Sequence, residues 1–202
     1  WDWLDDYFIK RPWNKLIANS TINIIDMFSQ KAFINEHFLI ESIMPLFRAK
    51  DLTENTTLQE LYDFNQIAIH MYSCNINTSI IEKIDISHKT HPNLSVIKAL
   101  QMTTALPVLF KPIFEDDGCY IDGGVLNNYP LQDCLNQQQC LPDEILAFKN
   151  IWNCSNMVIN EKSSLFDFIL IMMRKMQLTL DTQDKQPEIK NTVHCIVEHM
   201  LS

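Results

Sequence analysis

The residues with most chemical content are Asp122-Gly123-Gly124, which follow the apolar strand-like run Cys119-Tyr120-Ile121. A carboxylate at the end of a strand can serve as a general base. Two glycines after it let the backbone turn tightly or approach another group closely. In open α/β sheets the carboxyl ends of strands are where ligands bind, so the position suits the residue type. The plain alternative is a turn aspartate that accepts hydrogen bonds from the amides behind it.

Other candidates are weaker. His88 and His91 flank Lys89-Thr90 ahead of Pro92, without a cysteine or acidic partner in metal-ligand pattern, and read as a solvated turn. His194 and His199 are off the one-face spacing of zinc helices. Glu115-Asp116-Asp117 reads as a hairpin tip, because no loop of alternating ligands follows. The 6 cysteines form no C-x-x-C pair, which favours free thiols over a disulfide framework. A formal charge of -9 argues against nucleic acid as a partner, since phosphates would be repelled.

The elements that must position Asp122 follow from periodicity. Residues 1–50 read as helical, with Pro12 and Pro45 breaking or beginning elements. Thr57-Leu58-Gln59-Glu60 is a capping-box pattern that starts a helix running to Phe64. Gln66–Ser73 and Ile81–Ile86 alternate as two adjacent strands, and Leu94–Ala105 is a helix ended by Pro107. Glu144–Phe148 is a short buried-strand candidate. Ser164–Leu180 is a helix whose centre is apolar almost all round; a core helix is expected, with a lipid-facing segment as the alternative. The aromatic start, Trp1, Trp3, Tyr7, Phe8 and Trp13, reads as core packing, with a membrane interface as the alternative. Helices interleaved with short strands indicate an α/β fold.

Two segments together resemble the patatin-like phospholipase family. One carries Ala99, Thr104, Ala105, Pro107 and Phe110; the other carries Asp122, Gly123, Gly124, Asn128 and Pro130. The resemblance implies a three-layer α/β/α fold, here incomplete and helix-rich at its amino-terminal end. Residues 1–202 would form one partial domain, with the core of the match at about 51–150. It implies a lipid acyl hydrolase with a serine–aspartate dyad, in which Asp122 is the proton acceptor and Gly123 and Gly124 shape its turn. No metal and no other cofactor is implied. The implied partner is a lipid substrate at a membrane or lipid-droplet surface, and the implied location is cytoplasmic and peripheral to membranes. Such a family places its serine in a Gly-x-Ser-x-Gly elbow and its oxyanion donors in a glycine-rich loop. The 3 glycines here, Gly118, Gly123 and Gly124, allow neither. Together with a first residue that is Trp, this gives the expectation that both parts lie upstream of Trp1 in a longer chain. The alternative is a non-catalytic homologue that kept the fold as a lipid-binding or scaffolding protein.

Overall fold

The computed structural model describes residues 2–152, 157–183 and 186–197. Trp1, Cys154 and His199, which the sequence singled out, lie outside these. The chain divides into two compact units, Trp1–Gly123 and Gly124–Ser202.

The first unit opens with helices α1 (Asp2–Phe8), α2 (Trp13–Ser20) and α3 (Ile24–Gln30), then a strand β1 (Ala32–Ile34) and helix α4 (His37–Arg48). The all-helical expectation for residues 1–50 therefore misses β1, which pairs in parallel with β4 (Val108–Phe110). The aromatic start is not core: α1 buries no residue, and Trp3 and Phe8 are about half exposed at 54% and 50%. Tyr7 instead donates its hydroxyl proton to the Ser42 carbonyl, and the Arg11 guanidinium lies over both Tyr7 and Trp13.

Pro45 sits inside α4 and neither starts nor ends it. A proline lacks the N–H that would bond the carbonyl four residues back, which here is Glu41. Arg11 fills the gap. Its Nη2 donates to the Glu41 carbonyl at 2.8 Å, and its Nη1 donates to the Ser42 carbonyl at 3.1 Å.

Helix α5 (Leu58–Asn65) begins where the capping box places it. Thr57 Oγ1 accepts from Glu60 N at 3.1 Å, and the Glu60 carboxylate accepts from Thr57 N at 2.8 Å. Strands β2 (His70–Asn75) and β3 (Glu82–Ser87) form the antiparallel pair read from the alternation, shifted by a few residues. Helix α6 (Val96–Thr104) is capped by Ser95. Strands β5 (Ile113–Glu115) and β6 (Gly118–Asp122) are joined by the expected acidic tip, giving a four-stranded sheet in the order β3-β2-β6-β5. α6 lies on β2 and β6, and α4 lies on α6. Between them sits a core that includes Phe47, Leu58, Ile86, Val96, Ile97 and Met102. Burying side chains of this kind contributes about 1.5–3 kcal/mol each before the entropy of ordering them.

The second unit contains α7 (Leu131–Gln138), β7 (Ala147–Trp152), α8 (Leu165–Gln183) and β8 (Thr192–Val197), with β7 and β8 parallel. The strand expected at Glu144–Phe148 starts later, because Pro142–Glu144 form a 3-10 turn. It is mostly exposed: Ala147 is buried, but Phe148 and Ile151 are not.

Helix α8 departs most from its sequence reading. It is not buried all round, and its burial is inverted. Leu170, Arg174 and Gln177 face inward, whereas Leu165, Phe168, Met172, Met176 and Leu180 are exposed. The polar residues are inside because they have partners there. Gln177 Nε2 donates to the Gly124 carbonyl at 3.1 Å, Arg174 Nη1 donates to Gln177 Oε1 at 3.2 Å, and the guanidinium lies 4.1 Å from the Trp152 ring centroid. Among the described residues no helix is long and apolar enough to cross a membrane.

Candidate active site

Asp122 is the last residue of β6, a strand with antiparallel neighbours on both sides, β2 and β5. It is therefore not at the end of a parallel strand, the setting that favours ligand binding in open α/β sheets. What holds it is a set of backbone contacts from elements far away in sequence. Its own N–H donates to the Ala105 carbonyl at 3.0 Å, just past the end of α6. In the β2–β6 register it stands opposite Ser73, a completely buried serine. The Ser73 hydroxyl donates toward the Ile121 carbonyl at 2.7 Å and the Met102 carbonyl at 3.1 Å. One hydroxyl so ties the last turn of α6 to the peptide before Asp122. Thr103 Oγ1 adds a bond to the Tyr72 carbonyl at 2.6 Å, joining the same helix to β2.

Gly123 has a specific reason to lack a side chain. Its φ is not positive, so the need is space, not conformational freedom. A Cβ there would lie 2.6 Å from the Tyr72 carbonyl carbon and closer still to its oxygen. The turn after Asp122 is thus packed against β2 with no gap, and Gly123–Val125 close into a single 3-10 turn. Asp122 itself is half-buried.

Val108 shows where the local backbone is strained. Its φ of 74° is left-handed, for a β-branched residue, three positions after Ala105. Such a conformation costs about 1–3 kcal/mol and persists only where the surroundings over-determine it. β4 and its parallel partner β1 supply that constraint.

The remaining candidates are not gathered at this site. His88 is stacked on Tyr62 with ring centroids 3.9 Å apart, and His91 Nδ1 contacts Thr90 Oγ1 at 2.9 Å. Glu115 pairs with Lys98. No group of three or more metal-ligating side chains is present among the described residues. None of Cys74, Cys119, Cys134, Cys140 and Cys195 is in a disulfide. Ser73 and Thr103 were missed by the sequence reading. A lone serine in a strand carries no signal until its partner strand is known.

The fold is mixed α/β, with a carboxylate fixed at a strand end by backbone bonds and a close-approach glycine. The chain belongs to the patatin-like phospholipase family, whose model matches residues 3–135 and so includes every element that holds Asp122. It is also similar to the probable lipid hydrolase 463L of Invertebrate iridescent virus 6, at 23% identity over 180 residues, which is 87% of this chain. The chain spans 57% of the length of that relative.

Proposed function

We propose that this chain is part of a lipid acyl hydrolase and supplies its general base, Asp122, with both units belonging to one partial patatin-like domain. The observation that carries the reading is the family match over a segment in which Asp122 is held by the Ala105 carbonyl and by the Ser73 bridge. In the reaction, the Asp122 carboxylate takes the proton of a serine hydroxyl as that oxygen attacks the ester carbonyl carbon. The tetrahedral adduct collapses, the alcohol leaves with the proton from Asp122, and an acyl-enzyme remains. Water then attacks the acyl carbon with Asp122 again taking the proton, releasing the fatty acid and restoring the serine. The serine and its oxyanion donors come from residues outside these 202, because the 3 glycines all lie at Gly118–Gly124 and permit no Gly-x-Ser-x-Gly. The protein would work at a membrane or lipid-droplet surface from the cytoplasmic side.

The test uses the protein as its gene encodes it. Asp122→Asn should abolish hydrolysis of a fluorogenic acyl ester while circular dichroism and melting stay at the parent values. Turnover undiminished in that variant overturns the assignment of the base.

The glycine count also supports a second reading, in which the protein kept the fold, lost the nucleophile and binds lipid without cleaving it. A fluorophosphonate probe separates the two. Covalent labelling of the natural protein supports the enzyme; no labelling together with saturable vesicle binding supports the binder.

A further inference from the structure

The second unit contains a polar cavity of about 400 Å³ beside the loop that follows the Asp-Gly-Gly turn. Among the described residues its charged lining is one cation, Lys149, and one anion, Asp181; the others are the Tyr129 ring and the amides of Asn127, Asn128, Asn150 and Gln186. A cavity of this size accommodates a small organic group. A second cavity of about 380 Å³ shares Tyr129, Lys149 and Gln186 with it, so Lys149 stands where the two adjoin.

Lys149 is placed by secondary structure. It lies on β7 in register with His194 of β8, and register partners on paired strands point to the same face. Its ammonium lies 5.1 Å from the Tyr129 ring centroid, so the contact it makes is with an aromatic face, which leaves its N–H groups available to an anion. Lys190, a second lysine among the described residues of the second cavity, is paired with Asp143 at 3.5 Å.

A single anion such as phosphate would be attracted by Lys149 and repelled by Asp181. A single amine would meet the reverse. A ligand with both charges satisfies both side chains at once. We propose that this cavity binds a zwitterionic phospholipid headgroup, with its phosphodiester on Lys149 and its ammonium on Asp181. The proposal rests on the hydrolase reading and adds to it a headgroup subsite and a preference.

The test is binding, so it does not depend on turnover. The protein as its gene encodes it is titrated by calorimetry with glycerophosphoethanolamine and glycerophosphocholine, and with glycerol 3-phosphate, inorganic phosphate and galactosylglycerol as comparators. The zwitterions should bind at least tenfold more tightly than any comparator. Lys149→Ala should weaken them tenfold or more, and Asp181→Asn should bring zwitterion and glycerol 3-phosphate to equal affinity. Equal or tighter binding of inorganic phosphate, glycerol 3-phosphate or the galactoside to the unmodified protein overturns the proposal. So does zwitterion binding that survives Lys149→Ala, or the absence of saturable binding. Asp122→Asn distinguishes the two failures. Lost hydrolysis in that variant with no headgroup binding in the parent removes the subsite and leaves the enzyme; headgroup binding with undiminished hydrolysis removes the base and leaves the subsite.

Discussion

Ser73 faces Asp122 across the β2–β6 pair, and its hydroxyl donates at 2.7 Å to the carbonyl of Ile121, the residue immediately before the carboxylate. The same hydroxyl reaches the Met102 carbonyl in α6 at 3.1 Å. A buried side chain therefore links helix, strand and candidate base.

Ser73→Ala removes both contacts without adding volume. The one hydroxyl proton is shared by the two buried carbonyls, and its removal leaves them without that donor, so the variant should lose about 1–2 kcal/mol. Urea denaturation followed by circular dichroism reads this as a lower midpoint with an unchanged slope. A midpoint equal to the parent would mean that the two carbonyls do not depend on Ser73.

Gly123→Ala places a methyl against the Tyr72 backbone, which cannot rotate away. Overpacking of this kind costs about 1–3 kcal/mol, and in a chain of this size each kcal/mol lowers Tm by about 2–4 °C. Differential scanning calorimetry is the measurement. A Tm within 1 °C of the parent (on the order of experimental error) would rule out the close approach.

Arg11→Ala should uncap the carbonyl that Pro45 leaves open. The Glu41 and Ser42 carbonyls lose charged donors at 2.8 and 3.1 Å, and Tyr7, which keeps its own bond to Ser42, loses the Arg11 guanidinium beside it. Because the site is only part-buried, water replaces part of each bond and the loss should be about 1 kcal/mol. Proteolysis should also reach residues 2–20 sooner than in the parent. Restoring a bondable residue through Pro45→Ala should make Arg11→Ala milder, and a double-mutant cycle measures that coupling.

Burial pushes the Cys119 thiol above the ordinary cysteine value, and the charge of Lys31 only partly opposes it. A thiol whose folded pKa is raised contributes stability that is complete below the unfolded pKa and is lost as pH rises through the folded one. The denaturation midpoint should therefore fall as pH climbs through the alkaline range above about 8.5. The fall should be shallower in Cys119→Ala than in the parent. Identical slopes in the two proteins would contradict the assignment.

The features legible from sequence are those decided within a few residues. Thr57 and Glu60 are three positions apart, so their reciprocal bonds form as soon as the turn does, and α5 starts where the pattern says. The alternation of β2 and β3 reflects the two-residue period of a strand, and the acidic tip before β6 needs only a short reversal. The Asp122-Gly123-Gly124 turn and its flanks sufficed to mark the family to which residues 3–135 belong.

What the tertiary structure decided depends on contacts between residues far apart in the chain. Pro45 stays inside α4 because Arg11 reaches its open carbonyl. Helix α8 buries Arg174 and Gln177 and exposes Met172 and Met176, because Trp152 and the Gly124 carbonyl satisfy the polar side chains. Hydrophobic periodicity cannot anticipate either case, since it carries no record of which polar group will find a partner. Ser73 is the clearest instance. Its type says little, and its place opposite Asp122 exists only through the β2–β6 register, which side-chain pairing and burial set together over the whole sheet.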